Sequence, residues 1–135
     1  MSSDGNLRQI FLQHLPEAFW QSVETWSTGQ GVPDVHYLFP PGKAGWIENK
    51  LVTSGWEIGI RPGQVGWLSR YARLGGRCFV AVRVIKRNNV DELWLYNGGD
   101  VKQLTIEGLR KDPFGLFAGG PARWNWKRIE HCLKA

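Results

Sequence analysis

Hydrophobic residues recur at helical spacing in three parts of the chain. The first helix is predicted to run from Asp4, as its cap, to about Leu15. The second is predicted from Pro62, which suits the first turn of a helix, to Leu74. A third amphipathic pattern begins at about Asn125. Each of these helices has one apolar face, so each is expected to pack against another layer.

Shorter apolar segments lie between these helices and predict strands. The segment 77–85 is almost continuously apolar, as a strand buried on both faces should be. Arg83 lies inside this segment and is expected to pair with a carboxylate. The stretch 113–121 is predicted to be a loop. The predicted strands are 19–26, 34–39, 45–52, 77–85 and 92–96.

The predicted order of elements, α-β-β-β-α-β-β-α, indicates an α/β fold in which a mixed sheet is flanked by helices. With 135 residues and no internal repeat, the chain is expected to form one domain, with a core region at 17–97 and a C-terminal extension at 98–135. No apolar run approaches the ~20 residues of a membrane span. The first residues lack the features of a signal peptide, so a cytoplasmic location without a membrane partner is expected.

The composition is basic and rich in tryptophan. The formal net charge is +5 and the isoelectric point is about 9.5, which favours polyanionic partners because neutralised phosphates release their counterions. Most of the eight tryptophans are expected in the core, and some could stack on bases. Trp126 is predicted to dock the C-terminal helix, whereas Trp124 fits either a core or a stacking role.

Three short motifs between Gly31 and Gln64 supply the residue types of a divalent-metal site. Asp34 follows a turn proline, while Glu48 and Lys50 lie two residues apart in a predicted strand and therefore share one face. Two neighbouring carboxylates repel each other unless a cation lies between them, and oxygen ligands suit Mg²⁺ or Mn²⁺. Such a metal activates water and polarises a phosphodiester, and Lys50 can stabilise charge on phosphorus.

The combination resembles the PD-(D/E)xK nuclease superfamily. Pro33-Asp34 matches its Pro-Asp motif, and Glu48-Asn49-Lys50 matches its (Asp/Glu)-x-Lys motif. Gln64, following Arg61-Pro62, matches the helical glutamine of Holliday-junction-resolvase-like and VRR-NUC-like members. The stretch Gly31 to Arg83 is particularly similar to small phage-encoded nucleases of this type. The resemblance covers about the first two thirds of the chain and implies a restriction-endonuclease-like core.

The resemblance also implies roles for individual residues. The implied metal ligands are Asp34, Glu48 and the backbone carbonyl of Asn49, which would hold Mg²⁺ or, as a substitute, Mn²⁺. Lys50 would be the catalytic lysine, and Gln64 would lie beside the attacking water or a phosphate oxygen. Many members have a further glutamate upstream. Glu24, on the strand before the Gly-rich loop, is favoured for that position, and Glu17 is the alternative.

The function implied is that of a metal-dependent endodeoxyribonuclease for branched DNA such as a Holliday junction. Two symmetric cuts need two sites, which a homodimer of a small protein supplies. The alternatives are a nuclease for flap, single-stranded or duplex DNA and, from a different class, a non-catalytic DNA-binding protein with the same fold. The candidate DNA-contacting residues are Lys43, Arg61, Arg70, Arg73, Arg123 and Trp124.

Overall fold

The computed structural model describes residues 3–23 and 31–135, and all elements below lie in those ranges. The helices are α1 (Leu7–His14), α2 (Pro62–Arg73), α3 (Val101–Glu107) and α4 (Trp126–Lys134). The strands are β1 (Phe19–Ser22), β2 (Val35–Phe39), β3 (Lys43–Val52), β4 (Cys78–Lys86), β5 (Val90–Asn97) and β6 (Gly115–Phe117). No helix in the described part of the chain has the length and apolar composition needed to cross a lipid bilayer.

The six strands form one mixed sheet whose spatial order, β1-β2-β3-β4-β5-β6, follows the order along the chain. The pairing of β3 with β4 is parallel, and the other four pairings are antiparallel. Parallel neighbours cannot be joined by a tight turn, so the chain crosses over one face of the sheet through α2. The crossover brings α2 next to β3, the strand that carries Glu48 and Lys50.

Helices cover both faces of the sheet. On one face, Leu68 of α2 and Leu104 of α3 pack in one cluster with Val80 and Val82 of β4. The other cluster contains Phe79 of β4 together with α1 and α4. The fully buried helix side chains on that face are Leu7, Phe11, Ile129 and Leu133. Because β4 contributes to both clusters, the prediction that it is buried on both faces is confirmed.

The α/β class, with a mixed sheet flanked by helices, is confirmed, but the structure contains two elements that the predicted order lacks. Helix α3 has only seven residues, too few for a clear helical period, and only Val101 and Leu104 of it are buried. Strand β6 lies inside the stretch 113–121, which was wrongly predicted to be a loop. Its residues pair with Leu93–Leu95 of β5, a long-range contact that three residues of local sequence do not reveal.

The start of α1 differs from the prediction. The helix begins at Leu7, and its cap is Asn6, whose backbone is in the left-handed conformation with φ of 59°. Asp4 lies two residues before the cap, and its Oδ1 accepts a hydrogen bond from the backbone N–H of Asn6 (2.9 Å). Its carboxylate therefore stabilises the turn before the helix.

Arg83 pairs with a carboxylate as predicted, and the partner is Asp91 on the neighbouring strand β5. Nε and Nη2 of Arg83 donate to the two oxygens of Asp91 at 2.9 and 2.7 Å. Nη1 donates to the backbone carbonyl of Gly5 at 2.7 Å. The buried guanidinium thus connects the segment before α1 to the sheet, and it needs its counter-charge because an unpaired buried charge is costly.

We expect Asp91→Asn to lower the free energy of unfolding by about 2 kcal/mol, because it removes the carboxylate to which Nε and Nη2 of the buried Arg83 guanidinium donate. Urea denaturation measures this loss. The matched control is Glu130→Gln, which removes the carboxylate of the partly exposed Glu130–Lys134 pair on α4 and should cost no more than about 0.5 kcal/mol. Equal losses for the two variants would contradict the structural importance of the Arg83–Asp91 pair.

Candidate active site

The antiparallel pairing of β2 with β3 brings two carboxyl groups together. Asp34 immediately precedes β2, whose first residue Val35 lies opposite Ile47, so Asp34 lies beside Glu48 and Asn49. Oδ2 of Asp34 accepts a hydrogen bond from the backbone N–H of Asn49 at 3.0 Å. The carboxyl groups of Asp34 and Glu48 are close enough for each to influence the pKa of the other.

A second set of contacts joins Glu48 to the crossover helix. Gln64, in the first turn of α2, donates from Nε2 to Oε2 of Glu48 at 2.8 Å. Its Oε1 accepts from Nζ of Lys50 and from the backbone N–H of Arg61, both at 3.0 Å. Nζ of Lys50 lies 3.3 Å from the same Oε2 of Glu48. The predicted shared face of Glu48 and Lys50 is confirmed, and Gln64 fixes the positions of both side chains.

Burial disfavours the charged forms of both carboxyl groups, and repulsion by the Asp34 carboxylate adds to this effect at Glu48. Burial, followed by the nearby Asp34 carboxylate, raises the pKa of Glu48 to about 7. Burial also raises the pKa of Asp34, although the Asn49 N–H and the Lys50 ammonium oppose this effect. Oε1 of Glu48 is buried without a hydrogen-bond partner among the described residues. A cation bound between the carboxylates would remove the repulsion and give that oxygen a partner.

The residues around this pair fit a metal with few protein ligands. No cluster of three or more His, Cys, Asp or Glu residues occurs in the described ranges. Mg²⁺ commonly uses one or two carboxylates and keeps several waters, so the Asp34–Glu48 pair matches its preferences better than those of Zn²⁺. The pair opens into a cavity of about 440 Å³. The cavity is lined by Ser3, Asp34, Glu48, Asn49, Lys50, Leu51, Gly59, Arg61 and Gln64.

The two candidates for an upstream glutamate have different outcomes. Glu24 lies outside the residues that the structure describes. Glu17 is exposed in the turn between α1 and β1 and does not line the cavity. Among the described residues, the carboxylates that line the cavity are therefore those of Asp34 and Glu48.

The candidate DNA-contacting cations are all exposed, but they do not form one rim around the cavity. Arg61 lines it. Arg70 and Arg73 belong to the last turn of α2, about 9 and 14 Å along the helix axis from Gln64. Lys43 begins β3, about 16 Å along the strand from the motif at 48–50. Arg123 follows β6, the edge strand that β4 and β5 separate from β3.

Trp124 is buried and cannot stack on a base, so the prediction that it contacts DNA is wrong. Only 3% of its surface is exposed, and its Nε1 donates to the backbone carbonyl of Asp91 at 3.2 Å. The ring belongs to the core, because the sheet and α4 enclose it. Trp126 docks α4 as predicted: its ring stacks on His14 of α1 with a centroid distance of 4.4 Å.

One glycine of the site has a role that the sequence motifs did not reveal. Gly31 has φ of 81°, and a Cβ atom there would come within 2.0 Å of the carbonyl oxygen of Gly63. The segment that leads to Asp34 thus lies directly against the first turn of α2, which carries Gln64. The only sequence signal was the position of a glycine three residues before Asp34.

Comparison with known proteins adds no relative to this picture. No protein-family model matches the chain, and no curated protein is significantly similar to it in sequence. The functional argument therefore depends on the residues and their geometry.

The raised pKa of Glu48 predicts how pH affects stability in the absence of divalent cations. The ordinary pKa of a glutamate is 4.5, and that of Glu48 is about 7 in the folded protein. The cost of ionising Glu48 is therefore absent below pH 4.5, grows as the pH rises, and is complete above about pH 7. Glu48→Gln mimics the protonated form and avoids this cost. At pH 8 in EDTA, we expect the variant to exceed the wild type in unfolding free energy by on the order of 2 kcal/mol.

Urea denaturation in EDTA at pH 5 and pH 8 measures this difference. The stability advantage of Glu48→Gln should be smaller at pH 5. The matched control is Glu57→Gln, which changes an exposed carboxylate outside the cavity and should track the wild type at both pH values. An advantage of Glu48→Gln that does not change with pH would contradict the assignment.

Proposed function

We propose that this protein is a metal-dependent endodeoxyribonuclease that hydrolyses phosphodiester bonds, with branched DNA such as a Holliday junction as its substrate. The observation that carries the proposal is the single network of Asp34, Glu48, Lys50 and Gln64. Two carboxyl groups are held together despite their repulsion, and a lysine lies 3.3 Å from one of them. A network of this kind costs stability, so a role in chemistry explains it better than a structural role.

Asp34, Glu48 and the backbone carbonyl of Asn49 would hold Mg²⁺, and Mn²⁺ could replace it. The unpaired Oε1 of Glu48 and the contact between the two carboxyl groups fit this cation. When bound, the metal would polarise a phosphoryl oxygen and lower the pKa of a coordinated water. The likeness of these motifs to those of the PD-(D/E)xK nucleases supports the same ligand set.

Lys50 and Gln64 act on the phosphate and on each other. The ammonium of Lys50 is held by Oε1 of Gln64 and Oε2 of Glu48, and 15% of the lysine side chain is exposed. From this position it can orient the attacking water and neutralise negative charge that develops on phosphorus. Gln64 is a positioning residue: its amide bonds to Glu48 with one end and to Lys50 with the other, so it fixes their spacing before the substrate binds.

Arg61 is placed to receive the phosphate backbone. It is exposed at the start of α2 and lines the same cavity as Glu48 and Lys50. A guanidinium can bind two phosphate oxygens at once, and a helix N-terminus favours anions. The net charge of +5 adds a general attraction for DNA.

Branched DNA and a homodimer are the most specific parts of the proposal. A four-way junction is resolved by two symmetric cuts, and the described residues of one chain carry one such site. A chain of 135 residues is small for enclosing a junction. Two copies related by a two-fold axis would present two sites to the two strands.

We expect Asp34→Asn and Lys50→Ala each to reduce Mg²⁺-dependent DNA cleavage by roughly 10²–10⁴-fold, the range for losing a group that takes part in proton transfer or charge stabilisation. Both variants should still bind DNA in EDTA. Cleavage of a labelled oligonucleotide and fluorescence anisotropy measure the two properties. The matched control is Lys102→Ala, which removes an exposed lysine of α3 outside the cavity and should leave cleavage unchanged.

Cleavage that survives in Asp34→Asn or Lys50→Ala would exclude this site. Wild-type protein with no cleavage in Mg²⁺ or Mn²⁺ would instead favour the non-catalytic DNA-binding alternative.

A substrate panel tests the preference for branched DNA. Labelled duplex, flap, single-stranded and four-way DNA are incubated with the protein in Mg²⁺, Mn²⁺ or EDTA, and light scattering gives the oligomeric state under the same conditions. We expect the four-way substrate to be cut fastest. Cleavage should require a divalent cation, and light scattering should show a dimer. Faster cutting of another substrate, or a monomer that cuts the junction symmetrically, would refute this part of the proposal.

A further inference from the structure

Five ring side chains form a continuous series of contacts across β1, β2, β3 and α2. We name this series the aromatic strip; its members are Phe19, His36, Trp46, Trp67 and Tyr71. Successive ring centroids are 6.5, 4.9, 5.5 and 4.7 Å apart. The last pair, Trp67 and Tyr71, is stacked, with 14° between the ring planes. The sequence motifs gave no sign that these five rings form one series.

The aromatic strip lies on a part of the sheet that remains accessible to solvent. On this face, α2 and α3 pack over β3, β4 and β5. Towards β1, the side chain of Phe19 is 56% exposed and that of its neighbour Leu38 is 37% exposed. The other four members are half-buried. Of these, Trp46, Trp67 and Tyr71 also pack against the core cluster of this face. Large exposed aromatic and apolar side chains in one patch indicate a binding surface.

The aromatic strip is continuous with the candidate active site. Trp46 precedes Glu48 by two residues on the same face of β3, a separation of about 7 Å along the strand. His36 follows Asp34 by two residues, and Trp67 follows Gln64 by about one helical turn. Three elements thus each carry a residue of the catalytic network and, next to it, a ring of the strip. A chain bound across the network would continue over these rings.

The charges beside the aromatic strip favour a nucleic acid over a second copy of this protein. Arg70 is exposed on α2, three residues after Trp67 and next to Tyr71, and Arg73 follows in the same turn. Cations beside exposed rings suit a ligand with phosphates and flat bases. Another copy would carry the same net charge of +5 and the same arginines to this face, which opposes its binding there.

We propose that the aromatic strip binds unpaired nucleobases of the DNA strand whose phosphodiester lies at Asp34 and Glu48. The bases stack on Phe19, Trp46 and their neighbours in the strip, while Arg70 contacts the backbone. Paired bases inside a duplex cannot offer their faces, so the bases next to the cut are unpaired in the bound DNA, as at the opened branch point of a junction. This inference rests on the proposed function and specifies its substrate.

The test compares two 12-nucleotide ligands of equal length and charge: oligo-dT and an oligonucleotide of abasic sites. Binding is measured by fluorescence anisotropy in EDTA, where no cleavage occurs. We expect the wild type to bind oligo-dT about tenfold more tightly than the abasic ligand, because one or more bases stack on the rings. Trp46→Leu should lose this preference and keep its affinity for the abasic ligand. The matched control, Trp56→Leu, replaces a more exposed tryptophan that stacks on Arg110, and should keep the preference.

A second variant, Phe19→Ser, covers the case in which Trp46→Leu does not fold. Phe19 is more than half exposed and lies outside both core clusters, and its loss should reduce the preference for oligo-dT about fivefold. Equal affinity of the wild type for the two ligands would overturn the proposal. So would an unchanged preference in folded Trp46→Leu, or dissociation of a dimer by either substitution, which would assign the surface to a second copy.

Because the assay contains no divalent cation, its result is independent of catalysis. A preference for oligo-dT that depends on Trp46, in a protein that cuts no DNA, would support the aromatic strip and refute the nuclease. Cleavage that depends on Asp34, in a protein that binds the two ligands equally, would support the nuclease and refute base binding by the aromatic strip.

Discussion

The parallel pairing of β3 with β4 is the constraint on which the site and much of the core depend. Since parallel neighbours need a crossover, the chain between them forms α2, whose first turn lies at the end of β3 that carries Glu48 and Lys50. Gln64 can therefore bond to both side chains. An antiparallel hairpin at this point would leave no helix above the strand, and Glu48 would lose the amide that fixes it.

Stability and candidate chemistry come from different parts of the same sheet. The central strand β4 and the four helices supply two apolar clusters, and these provide most of the driving force for folding. The Asp34–Glu48 pair opposes folding, because both carboxyl groups are partly desolvated and repel each other. It persists because the β2–β3 register and α2 are fixed by contacts elsewhere. This arrangement is expected of a binding site that is organised before its ligand arrives.

Sequence patterns predicted the long helices and strands, whose regular pattern lies in one continuous stretch of the chain. Strand β4 was recognisable because nine successive residues are almost all apolar, and α2 because a proline begins it and a regular apolar face follows. The shared face of Glu48 and Lys50 follows from the two-residue period of a strand. Helix α3 and strand β6 were missed because each is too short for a period and depends on contacts with distant residues. Trp124 could not be assigned for a related reason: whether a ring is buried depends on what packs over it.

The order and spacing of Asp34, Glu48, Lys50 and Gln64 are properties of the sequence, and they were sufficient to suggest a metal site and a resemblance to nucleases. Their convergence was decided by the packing of β2, β3 and α2, because hydrogen bonds between residues 14 to 16 positions apart form only when those elements meet. The same packing separated the basic residues from one another and aligned five rings beside the site. Those rings come from four different elements, so no local pattern could have shown that they form one surface.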